Sequence, residues 1–128
     1  MKKVLFTVAL MFGAMVASAQ VSVVKEAKSM KKDPAAAAKV LEAALTNPET
    51  ANDPETWKLA GDLQKAIYDE ENMKMYLPGG QADMPKMYGA MLKMFEYYLK
   101  CDEVEQAGVA NGTVKKAKHR KKNAETLL

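Results

Sequence analysis

The sequence predicts an all-α domain behind an amino-terminal export signal, and three observations support this fold class. Apolar residues recur at helical spacing through most of the chain, and no stretch shows the alternation of a half-buried strand. The pairs Asp33-Pro34 and Asp53-Pro54 are typical helix starts, because Asp caps a helix and Pro tolerates its first position. A single cysteine provides no internal disulfide, so packing must hold the helices together.

Residues 1–19 have the pattern of a cleaved secretory signal peptide. Two lysines precede an uncharged apolar run, and a small-residue cleavage site ends at Ala19. The run is too short for the ~30 Å hydrocarbon core of a membrane. We therefore expect cleavage after Ala19, a mature domain over residues 20–128, and a periplasmic or secreted location.

Pro, Gly and Asp residues divide the mature chain into helices. The first predicted helix covers about residues 21–32, and the alanine-rich second covers about 34–45. A third runs over about 54–72, and its buried side is expected to carry Trp57, Ala60, Gly61, Leu63, Ile67 and Tyr68. A Pro-Gly-Gly loop then separates it from a fourth helix over about 84–101, which Asp83 caps.

The fourth helix carries two neighbouring apolar stripes. The first consists of methionines, namely Met84, Met87, Met91 and Met94. The second is mixed, namely Tyr88, Leu92, Phe95 and Leu99. A face this wide predicts burial on more than one side. A fifth helix begins near Val114 and still runs at Leu128, which predicts a longer chain or a last helix that docks elsewhere.

Self-similarity with an offset of 34 residues relates the first and third helices. The residues that carry the pattern are Val23, Ala27, Ala37, Leu41, Ala44, Trp57 and Gly61. In these positions the chain resembles the tetratricopeptide repeat family. The resemblance implies an antiparallel helix-pair array, a TPR-like α-solenoid of about five helices, incomplete at its carboxyl end. It also implies a concave surface, built by the first helices of successive repeats, that holds a segment of a partner protein.

Charge is distributed unevenly along the mature chain. Residues 20–112 hold eleven lysines and fifteen acidic residues, whereas residues 113–128 hold six basic residues and one Glu. The basic residues form a candidate patch for an anionic partner: Lys115, Lys116, Lys118, Arg120, Lys121 and Lys122. Export argues against nucleic acid as that partner. A solvated helix face is the simpler interpretation, and an anionic envelope surface is the alternative.

The sequence predicts neither a cofactor nor a structural metal. One His and one Cys are too few for zinc, which takes about four N or S ligands. Thioether sulfur suits Cu(I), so the methionines leave a copper-handling protein open, but their helical spacing favours core packing. Cys101 is interpreted as a small buried hydrophobe near a helix end.

No constellation of residues in the sequence indicates catalysis. The acidic run Asp69-Glu70-Glu71 lies near a helix end, where such runs usually face solvent, and no base or nucleophile is spaced to work with it. The sequence therefore predicts a non-catalytic interaction scaffold or adaptor of the bacterial envelope that binds a protein partner on a helical-repeat surface. The copper-handling protein and the anionic-surface binder are its alternatives.

Overall fold

The computed structural model describes residues 21–128, and within that range the chain is helical and contains no strand. Residues 21–29 form α1. The helices that follow are α2 (Pro34–Leu45), α3 (Pro48–Ala51), α4 (Pro54–Lys74), α5 (Met84–Asn111) and α6 (Arg120–Leu127). The all-α prediction is therefore confirmed over this range. The export signal predicted for residues 1–19 lies outside the described residues.

Aspartate caps three of the helices, as the sequence predicts. The side-chain oxygens of Asp33, Asp53 and Asp83 accept backbone N–H groups in the first turns of α2, α4 and α5, at 3.0–3.2 Å. A proline stands within two residues of each Asp, where its missing N–H costs no helical hydrogen bond. Asn47 and Pro48 use the same device to begin α3, a short helix that the sequence analysis missed.

Two helix boundaries differ from the prediction. α5 does not stop near Cys101 but continues to Asn111, where Gly112 adopts a left-handed φ of 83° and ends it. The fifth predicted helix was expected to begin near Val114, but the chain is not helical until Arg120. The basic segment is therefore an irregular connection followed by a short helix.

The centre of the fold is the antiparallel pair of α4 and α5. Gly61 on α4 lies under the ring of Tyr98 on α5, and a Cβ at Gly61 would overlap Cδ1 and Cε1 of that ring. The Tyr98 hydroxyl donates a hydrogen bond to Asp62 Oδ1 at 2.6 Å, which fixes the ring over the glycine. The two longest helices therefore approach closely because glycine occupies this position.

The core consists of two apolar clusters that share α4. The first joins α1, α2 and α4 through Ala27, Ala37, Leu41, Ala44, Leu59, Ala60 and Leu63. Its alanines bring the helix axes together, since small side chains permit close packing. The second cluster joins α4 and α5 through Trp57, Cys101 and Val104. Cys101 is fully buried, which confirms its interpretation as a small core residue.

The prediction that neighbours cover α5 on more than one side is wrong for the described residues. Met87 and Met94 of the methionine stripe are buried, and Met91 is half-buried. The other large apolar residues of the two stripes are exposed: Met84, Tyr88, Leu92, Phe95 and Leu99. α4 accounts for the buried face of α5, and an apolar face is left open beside it.

Candidate functional site

An open groove lies where α3, the start of α4 and the carboxyl-terminal half of α5 meet, with a volume of about 900 Å³. Its apolar lining includes Leu45, Trp57, Val104 and Ala107. Its polar lining includes Glu49, Asn52, Asp53, Lys100, Glu103 and Asn111. Pockets that bind small molecules have volumes of about 300–1,000 Å³. The groove therefore has room for a few residues of an extended segment.

Trp57 forms a fixed floor for this groove. Its indole Nε1–H donates a hydrogen bond to the carbonyl of Ala51 at 2.7 Å, across the turn between α3 and α4. Its ring packs against Tyr97, with centroids 5.8 Å apart and planes tilted by 53°. Because both ends of the ring are held, the floor is already in place before any ligand arrives.

The rim of the groove is acidic on balance. Lys100 Nζ lies 3.2 Å from Glu103 Oε1 on the next turn of α5. Glu49 and Asp53 line the opposite side, so three carboxylates face one ammonium. An acidic rim around an apolar floor favours a segment that carries a basic residue beside an apolar one.

A glycine closes the end of the groove near the carboxyl terminus of α5. The chain turns back after α5, and the Val114 N–H donates to the carbonyl of Gly108 at 3.0 Å. A Cβ at Gly108 would overlap the side chain of Val114. Glycine at this position therefore lets Thr113 and Val114 form the end wall.

Carboxylates attach the segment before α6 to the rest of the molecule. Glu105, fully buried on α5, accepts the His119 N–H at 3.0 Å, immediately before α6. Glu55 Oε1 on α4 lies 2.7 Å from His119 Nε2 and 2.8 Å from Lys118 Nζ. Partial burial acts to raise the pKa of Glu55, but the hydrogen bonds from Lys118 and His119 outweigh it and lower that pKa.

A side-chain hydrogen bond also joins α6 to α4. Lys58 Nζ donates to Asn123 Oδ1 at 2.8 Å, and Asn123 is buried. The same ammonium lies 3.3 Å from Asp62 and 4.8 Å from the centre of the Tyr98 ring. α6 therefore docks on this chain, beside the Gly61–Tyr98 contact.

Cys101 is not placed for reactivity. Its Sγ lies 3.3 Å from the carbonyl of Pro54 within the core. Burial raises the pKa of the thiol to about 11, which leaves it protonated at neutral pH.

The acidic run near the end of α4 does not simply face solvent, which corrects the prediction. Glu71 is 1% exposed, and its carboxylate contacts Lys74 Nζ at 2.6 Å and the Asp83 N–H at 2.8 Å. Lys86 Nζ lies 3.4 Å away on α5. Glu71 therefore joins the end of α4 to the start of α5 across the loop.

We expect acid to weaken this junction. The hydrogen bond from Lys74, followed by that from the Asp83 N–H, lowers the pKa of Glu71 from 4.5 to about 2. A lowered folded-state pKa gives stability that is complete above the ordinary value and is lost as pH falls toward the folded value. Glu71→Gln should therefore unfold at a lower temperature than wild type at neutral pH, and the two melting temperatures should converge between pH 4.5 and pH 2.

The matched control for this prediction is Glu70→Gln, because Glu70 is the exposed neighbour on the same helix turn. Its thermal melts should follow wild type at every pH. If Glu71→Gln also follows wild type from neutral pH into acid, the junction contributes nothing to stability.

The residues of the predicted repeat pattern lie in the interior. Ala27, Ala37, Leu41 and Ala44 belong to the first core cluster, and Val23 packs against it. Trp57 belongs to the second cluster, and Gly61 provides the close contact with Tyr98. The positions chosen from the repeat pattern are therefore packing positions.

The candidate anionic-partner patch does not form one helical face. Lys115, Lys116 and Lys118 precede α6, whereas Arg120, Lys121 and Lys122 lie on it. All six are exposed. Lys118 pairs with Glu55, and Arg120 Nε lies 3.7 Å from Asp102 Oδ1. Part of this charge is therefore used to attach the segment to the fold.

Sequence reasoning missed both the groove and the buried carboxylates. Glu71 follows Ile67 by four residues, and Glu105 follows Cys101 by four, so each occupies a core-facing position of its helix. That spacing was the available signal for the carboxylates. The groove had none, because it joins residues from α2 to the segment after α5.

Known proteins provide no template for this chain. No family model, no curated protein and no solved structure matches it. None of the helices in residues 21–128 combines the length and apolar character needed to cross a bilayer. Over the same residues, no three His, Cys, Asp or Glu side chains are grouped as metal ligands.

Proposed function

We propose that this chain is a non-catalytic interaction scaffold or adaptor of the bacterial envelope, and that the groove over Trp57 binds an extended segment of a partner protein. The observation that carries the proposal is the combination of a fixed apolar floor, a volume of about 900 Å³ and a polar rim. Binding sites for protein segments share this combination of an apolar centre and a polar edge.

The preferred segment follows from the chemistry of the groove. An apolar side chain would pack on Trp57 and Val104, and a neighbouring Lys or Arg would face Glu49 and Asp53. Rim contacts of this kind mainly set specificity and association rate, whereas burial on the floor provides most of the affinity.

The tetratricopeptide-like arrangement and the exported location belong to the same proposal. The buried Ala and Leu residues of α2 and the Trp57 and Gly61 positions of α4 are compatible with stacked helix pairs. In such an array α4 and α5 form the second helix pair. The groove lies at the edge of this pair, where a segment of a partner protein could reach it.

The alternatives from the sequence gain no specific support. Met87 and Met94 are buried, so packing accounts for them without Cu(I). Lys118 lies near Glu55 of α4, and Arg120 lies near Asp102 of α5. These acidic neighbours offset part of the positive charge that an anionic surface would bind.

The test is selection from a random-peptide display library, followed by calorimetric titration of the enriched peptides. Ala107→Arg places a long side chain in the groove, because Ala107 is exposed and lines it. Ala110→Arg is the matched control, since Ala110 is exposed on the same helix outside the lining. We expect an increase in Kd of at least about tenfold for Ala107→Arg and no change for Ala110→Arg.

Two results would contradict the proposal. One is a selection in which no peptide is enriched over an empty support. The other is a set of enriched peptides whose affinity is the same for wild type and for Ala107→Arg.

A further inference from the structure

α5 exposes a contiguous apolar face between its first turn and its middle. We call Met84, Tyr88, Leu92, Phe95 and Leu99 the α5 stripe, and their exposed fractions run from 37% to 67%. Five side chains exposed by about half present roughly 500 Å² of apolar surface, near the upper end for a monomeric protein. Patches of that size are often functional.

The spacing of the last four residues of the α5 stripe is symmetric. Tyr88, Leu92, Phe95 and Leu99 are separated by four, three and four residues, a spacing that is the same in both directions. An antiparallel copy of α5 therefore places Tyr88 opposite Leu99 and Leu92 opposite Phe95. A two-fold interface requires this self-complementarity, because the same patch must serve on both sides.

We propose that the α5 stripe binds the α5 stripe of a second copy of this chain, in an antiparallel homodimer. The axis passes between Lys93 and Met94, the midpoint of the symmetric spacing. Stable interfaces bury about 800 Å² on each partner, so the stripe supplies more than half of that area and polar residues beside it supply the rest.

Nothing on the described part of this chain competes for the stripe. Met87, Met94 and Tyr98 hold the adjacent face of α5 against the core. α6 approaches α5 through Asp102 and Glu105, beyond the end of the stripe. The stripe is therefore presented on a helix that is already fixed.

The dimer would extend the proposed function. The α5 residues that line the groove lie between Lys100 and Asn111, and the stripe ends at Leu99. Each dimer would therefore carry two grooves, and two linked sites bind a multivalent partner more tightly than either site alone.

Analytical ultracentrifugation of the chain as cells process it tests the proposal. Wild type at about 100 μM should sediment as a dimer, and Leu92→Glu should raise the dimer Kd by at least about tenfold, because it buries a charge in the interface. Val109→Glu is the matched control, since Val109 is exposed on the same helix outside the stripe. Circular dichroism should show that all three are equally helical.

Cross-linking tests the antiparallel arrangement. A chain with Leu92→Cys and a second chain with Phe95→Cys should form a disulfide with each other when the two are mixed and mildly oxidised. The reason is that position 92 of one copy faces position 95 of the other across the axis. Val109→Cys should not form such a disulfide, and the native Cys101 is buried and does not interfere.

A wild-type monomer at this concentration would overturn the proposal, and so would a dimer that Leu92→Glu leaves intact. Either result leaves the groove proposal untouched, because Ala107→Arg tests the groove separately. Conversely, a dimer whose grooves bind no peptide would retain this inference and remove the proposed function.

Discussion

Gly61→Ala should destabilise this protein by about 2 kcal/mol, because overpacking of a tight helix contact outweighs the gain in helix propensity. The new Cβ would overlap ring atoms of Tyr98, which is buried and bonded through its hydroxyl to Asp62. The ring cannot move aside without breaking that hydrogen bond. Chemical denaturation followed by circular dichroism measures the change in the free energy of unfolding.

Gly89→Ala is the matched control for this substitution, and its effect should have the opposite sign. Gly89 lies within α5, and a Cβ there would meet no atom within 4 Å. Alanine should therefore stabilise the protein by about 0.5–1 kcal/mol through helix propensity alone. Equal effects at the two positions would show that α4 and α5 do not pack closely at Gly61.

Trp57→Ala should cost about 3–5 kcal/mol of unfolding free energy, the range for removing a buried aromatic side chain. The substitution removes the contact with Tyr97 and the hydrogen bond to the Ala51 carbonyl, and it opens the second core cluster. A domain of this size has a total stability of about 5–15 kcal/mol. The substitution therefore removes a large share of the free energy of unfolding, and the variant should unfold at a much lower denaturant concentration than wild type.

Tyr76→Ala is the control for the loss of a large aromatic residue. Tyr76 is 79% exposed in the loop between α4 and α5, and its removal should change the unfolding free energy by less than about 0.5 kcal/mol. If Trp57→Ala behaves like Tyr76→Ala in the same denaturation experiment, Trp57 is not part of a packed core.

The sequence predicted the parts of this fold that depend on neighbouring residues. Asp33, Asp53 and Asp83 cap helices because an Asp side chain reaches the N–H groups one turn ahead, whatever the tertiary structure. The sequence also predicted that Gly61 and Ile67 lie on the buried side of α4, and both are buried. Helical spacing alone identifies such a face.

The parts that were missed depend on distant residues. The sequence predicted both stripes of α5 to be buried, but only contacts with α4 decide which stripe is covered, and the side with Leu92 remains exposed. Glu71 and Glu105 are buried because they bind backbone N–H groups twelve and fourteen residues ahead. Helical spacing places both carboxylates at core-facing positions, but it contains no information on the N–H groups that they bind.

The groove was unpredictable for the same reason. Its lining comes from Leu45, from the turn before α4, and from α5 as far as Val114. The sequence did identify Trp57, but only as a buried residue of the repeat pattern. Its role as a floor depends on the carbonyl of Ala51 and the ring of Tyr97, which fix its orientation.

The indole N–H resonance of Trp57 reports whether a peptide occupies the groove, because the chain has one tryptophan and its signal is unambiguous. The measurement is a ¹⁵N–¹H spectrum recorded during titration with a peptide enriched by display. We expect the Trp57 signal to shift to saturation at the same peptide concentration in wild type and in Ala110→Arg, and to need at least about tenfold more peptide in Ala107→Arg. A peptide that binds while the Trp57 signal stays in place would contradict binding in this groove.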